Sequence, residues 1–305
     1  MNSKRLAVLS ALALALVLGL VIFSGSGSTA KAALATCSVP SGSYPTIQSA
    51  VNDVTCSTIN VGPGTYNEQV TVARSNVTIT GAGAGSTTIQ PSIVTANTSS
   101  LFSGSPIAAI VLVDGATGVT VEDLTVDGST AVPSGCAPTY VGIFYRAGSG
   151  AISDTHVTNI FNPAAPGCQG YLAIFVQSGN GGPGLNADVA IDGNTVDMYG
   201  KNGITANEAG TSVTVSNNIV TGRGPVGLGD AAQNGVQLGF GAHGKVTNNT
   251  ISGNFYSPAT VIACGVITVN AGGAIGQTKS NLFSGNQQNV CNAGGGPSVN
   301  SPFNR

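Results

Sequence analysis

Four polar or charged side chains share one position in successive segments of the chain. Asp114, Arg146, Gln177 and Asn207 each lie three residues after an aliphatic residue, and Glu208 follows the last of them. A carboxylate beside an arginine can orient an acidic sugar, and two carboxylates can cleave a glycosidic bond. If these segments stack as adjacent strands, Asp114 and Glu208 are about 14 Å apart, which is too far for either hydrolytic mechanism. An exposed Asp114–Arg146 ion pair would contribute under about 1 kcal/mol.

Two aromatic side chains, Phe144 and Phe175, occupy equivalent positions two residues before Arg146 and Gln177. Exposed and stacked, they would offer a sugar ring a flat apolar platform. Together with Gln177 and Asn207 they form the predicted substrate-binding set. The alternative is that a long loop, 129–140 or 161–172, covers both rings and makes them part of a second core.

Asp230 and His243 flank a later apolar run, and Glu208 lies one period earlier. A histidine near a carboxylate can act as a general acid or base, although turn residues are more often simply solvated. The weak catalytic candidates are therefore Asp114, Arg146, Glu208, Asp230 and His243. His156 has no evident partner, and we interpret it as a surface strand residue.

Three further carboxylates, those of Asp123, Asp127 and Asp154, could hold Ca²⁺ if stacked strands bring their oxygens together. Hydrogen bonds within turns explain the same residues equally well. We expect no other metal and no other cofactor.

The elements that position these residues recur every 30 to 32 residues. Apolar runs contain Val111, Ile143, Ile174, Ile204, Val236 and Val266. A second run follows each of them, and apolar and polar residues alternate in both, which places the aliphatic side chains on one face of a strand. The sequence therefore predicts an all-β fold, a single-stranded right-handed parallel β-helix of three-strand coils stacked about 4.8 Å apart.

Four asparagines, Asn194, Asn218, Asn249 and Asn281, align at the turn between two strands of successive coils. Like residues stacked in this way can bond from coil to coil. We therefore predict a structural ladder rather than a catalytic role for them.

The chain has six cysteines. Cys136 and Cys168 are one period apart, so stacking would place them on neighbouring coils within disulfide distance. Cys37 with Cys56 and Cys264 with Cys291 complete a sequential pairing, which is one of fifteen possible connectivities. An even number of cysteines after an export signal favours an oxidising compartment.

The first 35 residues are predicted to be a signal peptide, because Lys4 and Arg5 precede an apolar run over 6–23 and a small-residue cleavage pattern. An uncleaved membrane anchor and lipid attachment at Cys37 are the alternatives. The predicted β-helix domain spans 36–305, with a cap helix at about 45–54, repeats at about 59–286 and a loop-like tail at 287–305. In the helix, Thr46 would be the N-cap and Ile47, Val51 and Val54 the apolar face.

Charged residues make up only 7% of the chain, and the formal net charge is −2. Without a basic cluster to neutralise phosphates, nucleic acids are not expected as partners. Anionic membranes are not expected as partners after signal removal for the same reason. A secreted or cell-surface location follows from the signal and the cysteines.

The segment 44–83, with YPTIQSAVNDV and INVGPGTYNEQVTVARSNVTITGAG, resembles the opening of pectinesterases. The later repeats look like those of the pectate lyase-like superfamily, whose fold the resemblance implies. The pectinesterase Gln-Asp and Asp-Phe-Gly stretches are absent. Gly241-Ala242-His243-Gly244 matches the polygalacturonase Gly-His-Gly motif only in part.

We therefore expect a secreted protein that binds an extracellular polysaccharide along the first-strand face, meaning the outer face of the strands that contain Val111 to Val266. One alternative is a polysaccharide lyase, hydrolase or esterase of the pectin-degrading type, which needs several charged groups converging in a groove. The other is a structural or adhesive surface module, which a covered face would favour.

Overall fold

Aliphatic residues at alternate positions build three short strands in each turn of the chain. The computed structural model describes residues 35–272 and 276–294, so most of the predicted signal and the end of the predicted tail lie outside the described residues. The strands of successive turns pair in parallel and form three sheets, here called A, B and C. The fold is a right-handed parallel β-helix, as the sequence predicts.

Sheet A contains β1 (Ala35–Val39), β2 (Cys56–Val61), β5 (Thr78–Thr80), β9 (Val119–Glu122), β12 (Ser149–Ser153), β15 (Ala187–Asp192), β18 (Thr211–Ser216), β21 (His243–Thr247) and β24 (Gly276–Lys279). Sheet B contains β3 (Gly64–Tyr66), β6 (Thr87–Ile89), β10 (Thr125–Asp127), β13 (His156–Thr158), β16 (Thr195–Asp197), β19 (Ile219–Val226), β22 (Thr250–Tyr256) and β25 (Leu282–Ser284). Sheet C contains β4 (Val70–Val72), β8 (Pro106–Asp114), β11 (Thr139–Arg146), β14 (Tyr171–Gln177), β17 (Asn202–Asn207), β20 (Asn234–Gly239), β23 (Cys264–Val269) and β26 (Gln288–Ala293). The short strand β7 (Thr98–Ser99) pairs antiparallel with β8.

The core is an inner row of aliphatic residues on each sheet. In sheet C, the predicted row from Val111 to Val266 stacks directly, residue on residue, through six strands. Every member of that row is fully buried. Because successive side chains of a strand point to opposite faces, this register also fixes which residues lie on the outer, first-strand face.

The turn between sheets A and B repeats one backbone conformation, which explains the asparagines. A residue with positive φ precedes the inward asparagine, for example Gly193 (φ 70°), Asn217 (φ 56°) and Asn248 (φ 58°). Glycine and asparagine tolerate this left-handed conformation better than other residues do. Asp123 (φ 55°) and Asp154 (φ 47°) hold the same position in earlier coils, so the turn accounts for them.

The asparagine ladder runs through this turn, and each member is almost completely buried. The Nδ2 atom of Asn194 donates to Oδ1 of Asn218 at 2.9 Å, Asn218 donates likewise to Asn249 at 2.9 Å, and Asn249 to Asn281 at 3.0 Å. The same Oδ1 atoms also accept the backbone N–H of the preceding asparagine. The ladder therefore satisfies buried donors that the strands do not pair.

Helix α1 (Ile47–Asn52) lies within the segment predicted as helical, and its position as a cap stays a prediction. Thr46 is its N-cap in a reciprocal capping box with Ser49. Both carboxylate oxygens of Glu68 accept backbone N–H groups of the first turn, from Ile47 and Gln48, each at 2.9 Å. The placement of Val54 on the apolar face was wrong, because the helix ends before it and Val54 is 74% exposed.

All six cysteines are paired in the predicted sequential order, with Cα–Cα distances of 5.6 Å for Cys37–Cys56, 5.1 Å for Cys136–Cys168 and 6.1 Å for Cys264–Cys291. The bridges join β1 to β2, two loops of neighbouring coils, and β23 to β26. This part of the sequence prediction is confirmed.

The predicted loop-like tail was wrong for its first part. Strand β26 occupies Gln288–Ala293 and pairs with β23. The sequence QNVCNA has almost no aliphatic alternation, so its pattern does not predict a strand. Pairing to the previous coil and the Cys264–Cys291 bridge stabilise the strand instead. Within the described residues, no helix has the length and apolar composition needed to cross a membrane.

We predict that Glu68→Ala destabilises the protein by about 1–3 kcal/mol, because two N–H groups at the helix start lose a charged acceptor. The measurement is the free energy of unfolding from denaturant titration. The matched control is Asp188→Asn at an exposed strand position, for which we expect under about 0.5 kcal/mol. Equal stabilities of the two variants would contradict this role of Glu68.

We further predict that Asn218→Ala is more destabilising than Asn194→Ala, and that it costs about 2 kcal/mol or more. The first change removes the acceptor of two buried donors, N and Nδ2 of Asn194, whereas the second removes the acceptor of one, the backbone N of Thr155. Unfolding titrations of the two variants test the order, and the reverse order would exclude this account of the ladder.

Candidate functional site

The first-strand face is covered over its first coils, which corrects the expectation of an exposed aromatic platform. Phe144 and Phe175 stack as predicted, with ring centroids 4.8 Å apart and ring planes 6° from parallel. However, they are only 0% and 5% exposed. They belong to a second core on the outside of sheet C, with Ile107, Ala109, Leu112, Val141 and Leu172.

A segment before β8, here called the cover (98–105), is tied to the outer side of sheet C. Nε of Arg146 donates to the carbonyl of Ser99 at 2.8 Å. Gln177 accepts from the backbone N of Leu101 and donates to Oγ of Ser100, each at 3.0 Å. The covering loops predicted from the sequence were 129–140 or 161–172. Those two loops are instead joined to each other by the Cys136–Cys168 bridge.

The predicted polar row is present, but its members have different surroundings. Asp114, Arg146, Gln177 and Asn207 are direct neighbours on successive strands of sheet C. The Arg146 guanidinium lies 2.8 Å from the Asp114 carboxylate, and both side chains are only partly exposed. Because this arginine is bound by Asp114 and by the cover, it is not free to orient an acidic ligand.

A cavity of about 310 Å³ lies between the cover and sheet C. It is lined on one side by cover residues and on the other by strand ends and turns. The described lining residues are Ser100, Phe102, Ser103, Ser105, Ile107, Thr139, Gln169, Gly170, Leu172, Phe175, Gln177, Asn207, Glu208 and Phe240. Four predicted site residues, Phe175, Gln177, Asn207 and Glu208, therefore meet at this cavity, whereas Phe144, Asp114 and Arg146 are not part of its lining.

Two phenyl rings that the sequence analysis did not identify flank the cavity. Phe102 of the cover is 65% exposed, and Phe240, in the turn after β20, is 46% exposed. Phe240 has a positive φ of 55°, which is uncommon for a bulky residue. Neither ring lies on a regular strand position, so the strand periodicity gave no signal for them.

Glu208 is the one ionisable residue in the described lining, and it is only 4% exposed. It follows β17 with a φ of 80°. Its backbone N donates to the carbonyl of Gly239 at 3.1 Å, and its carbonyl accepts from Thr211. Burial raises the pKa of its carboxyl group, partly offset by a hydrogen bond from Gln177. A carboxyl group that holds its proton can donate a hydrogen bond to a ligand.

Beyond Glu208, the outer face of sheet C carries a network of side-chain amides. Gln237 Nε2 donates to Oδ1 of Asn207, Asn202 Nδ2 donates to Oε1 of Gln237, and Asn234 Nδ2 donates to Oδ1 of Asn202, each at 3.0 Å. Such a connected network holds its members in fixed rotamers. Asn207, where the network meets the cavity, is therefore positioned in advance of any ligand.

The predicted pairing of Asp230 with His243 is not formed. Asp230 accepts from the backbone N of Gly227 at 2.8 Å and lies 3.7 Å from Nη2 of Arg223. His243 begins β21 in sheet A, at an exposed position. The two residues flank the same strand in sequence, but Asp230 precedes sheet C and His243 begins sheet A, so they do not form an acid–base pair.

His156 has a partner that the sequence did not reveal. Its Nε2 lies 3.0 Å from Oδ2 of Asp197 on the next strand of sheet B, and both side chains are about one-third exposed. Oγ1 of Thr158 donates to the other oxygen of Asp197. The hydrogen bond and charge of Asp197 raise the pKa of His156.

The carboxylates considered for calcium are not gathered into a site. Asp127 accepts hydrogen bonds from Gln90 and Asn159, and Asp123 and Asp154 hold turn positions. Among the described residues, no group of three or more His, Cys, Asp or Glu side chains is placed to hold a metal ion. The structure gives no support to this site, and calcium binding stays a prediction.

No protein-family model and no curated protein sequence matches the chain. Among solved structures, pectin methylesterase PemA from Erwinia chrysanthemi is similar with a TM-score of 0.51 at 12% identity, covering 86% of this chain and 81% of that one. Alginate lyase from Paenibacillus sp. str. FPU-7 has a TM-score of 0.38 at 15% identity, covering 85% of this chain and 98% of that one. The A-module of mannuronan C-5 epimerase AlgE4 from Azotobacter vinelandii has a TM-score of 0.33 at 13% identity, covering 81% of this chain and 91% of that one. The similarity to PemA shows the pectate lyase-like fold.

The His156–Asp197 pair predicts a pH-dependent contribution to stability. Because the folded-state pKa of His156 is raised above its ordinary value of 6.5, the stabilisation is complete below about pH 6.5 and is lost as the pH rises through the folded-state pKa. Over a measured range of roughly pH 5 to roughly pH 9, we therefore expect the wild type to lose stability relative to His156→Gln only above about pH 6.5. Unfolding titrations across this range, with Asp197→Asn as a second variant that should also flatten the profile, test the pair. Parallel profiles of all three proteins would refute it.

Proposed function

We propose that the protein binds an extracellular polysaccharide at the cavity between the cover and sheet C. The observation that carries this proposal is the combination of two exposed phenyl rings, Phe102 and Phe240, with buried hydrogen-bonding groups on the cavity floor. Sugar rings present apolar C–H faces and polar hydroxyl edges, so a site for them needs both kinds of contact. The position of the cavity on the first-strand face agrees with the site that the sequence favours.

Several further features support a role outside the cell. All six cysteines form disulfides, which persist in oxidising compartments. The predicted N-terminal signal points to the same location. PemA, which shares the fold, is named for an activity on pectin, itself a polysaccharide.

Binding is a better account of this cavity than hydrolysis. Cleavage of a glycosidic bond by the usual mechanisms needs two carboxyl groups on either side of the bond. Glu208 supplies the one carboxyl group among the described lining residues, and Asp114 is three strands away along sheet C. A purely structural module, in turn, would not need exposed aromatic rings beside a cavity that contains hydrogen-bonding groups.

We predict that the Phe102→Ala/Phe240→Ala double variant binds its polysaccharide about tenfold more weakly or worse, because both apolar contacts to the sugar ring are lost. The protein is first screened on a glycan array, and oligosaccharides of the best polymer are then titrated by calorimetry. The matched control is Ile93→Ala/Leu228→Ala, which removes two side chains of 74% and 75% exposure outside the cavity lining.

Binding that both double variants retain equally would show that the cavity is not the site. Failure to bind any glycan would overturn the proposed function as a whole.

A further inference from the structure

We infer that the polysaccharide bound at this cavity is uncharged, built from neutral sugars rather than from uronic acids or amino sugars. This inference rests on the proposed function and specifies its ligand. It is drawn from the charges of the cavity, because a buried charge on a ligand must meet an opposite charge or fixed dipoles in the protein.

The described residues of the cavity provide no cation for an acidic sugar. Its described lining contains no Lys, Arg or His side chain. The nearby Arg146 is already engaged, by the Asp114 carboxylate at 2.8 Å and by the carbonyl of Ser99 at 2.8 Å. A uronate carboxylate entering the cavity would therefore lose its hydration without gaining an ion pair.

Glu208 adds a second reason against an acidic ligand. When ionised, its carboxylate would repel a uronate bound in the same cavity. When protonated, it offers a hydrogen bond but no attraction for an anion. Neither state of Glu208 compensates a negative charge on the ligand.

An amino sugar is also a poor match. Its ammonium group could pair with one carboxyl group alone, that of Glu208, among the described lining residues. The neighbouring surfaces of Ile107, Leu172 and Phe175 are apolar and would not solvate an ammonium group. An uncharged sugar needs no buried partner of opposite charge.

The remaining polar groups suit hydroxyl groups. Asn207 has its Oδ1 occupied by Gln237, and its Nδ2 donates to no described residue, so it can donate to a sugar oxygen. The hydroxyls of Ser103, Ser105 and Thr139 and the amide of Gln169 also line the cavity. Hydroxyl and amide groups can each donate and accept, as sugar hydroxyls do.

The test uses the full chain as produced and pairs of ligands that differ in charge alone. Neutral, acidic and amino oligosaccharides are screened on one array. Oligogalacturonates are then compared with their methyl esters by calorimetry, with and without Ca²⁺. We expect every ligand on the array to be neutral, and any affinity for oligogalacturonates to be at least about tenfold lower than for their methyl esters.

A variant separates neutral ligands from amino sugars. Glu208→Gln cannot be ionised, so an oligosaccharide whose ammonium group pairs with the Glu208 carboxylate would lose at least about tenfold more affinity in this variant than a neutral oligosaccharide does. The control is Asp188→Asn, which removes an exposed carboxylate elsewhere. An amino oligosaccharide that binds the wild type and shows this selective loss in Glu208→Gln but not in Asp188→Asn, with folding intact by circular dichroism, would overturn the inference.

The outcomes keep the two proposals distinguishable. An acidic oligosaccharide that binds with or without Ca²⁺, and whose binding the Phe102→Ala/Phe240→Ala variant abolishes, overturns the uncharged ligand but leaves the polysaccharide site standing. No binding to any glycan overturns the proposed function and the inference with it.

Discussion

The structure depends on the parallel, in-register stacking of coils. Because each strand bonds to the equivalent strand of the coil before it, a side chain meets the equivalent side chain of its neighbours. Aliphatic residues such as Ile143 and Ile174 therefore form continuous buried rows. Polar residues are tolerated inside only if they bond along the same direction, as the ladder from Asn194 to Asn281 does. The stacking also brings charged residues such as Asp114 and Arg146 together.

The segment that resembles pectinesterases carries structure rather than chemistry. Its conspicuous polar side chains are bonded to helix α1 and to the backbone beside it. Glu68 accepts two N–H groups at the start of this helix, and Nε of Arg74 donates to the carbonyl of Val51 near its end at 2.6 Å. The hydroxyl of Tyr66 donates to the carbonyl of Gly62. These residues therefore have structural roles in this protein, and a likeness in this segment says nothing about a reaction.

Sequence reasoning was strong where the period determines the structure and weak where loops do. The register of Asp114, Arg146, Gln177 and Asn207 could be predicted because each lies three residues after an aliphatic residue of the repeat, whatever the length of the loop between coils. The burial of Phe144 and Phe175 could not, because the cover (98–105) has no repeat and its anchoring requires long-range bonds to Arg146 and Gln177. Phe102 and Phe240 were missed for the same reason. The burial of Glu208 could not be predicted either, because it depends on how the turn after β17 packs in three dimensions.

The cover changes what the solenoid can bind. An open outer face of sheet C would offer a polymer a long, regular track, whereas the cover buries its first coils under a second apolar core. What remains is a cavity of about 310 Å³, at the lower end of the usual range of about 300–1,000 Å³ for ligand sites. At the site proposed above, a short part of the ligand would lie between Phe102 and Phe240, above Asn207 and Glu208. Specificity in such a site depends on leaving no buried group without a partner, and it is therefore set more by the charge and hydroxyl pattern of that part than by polymer length.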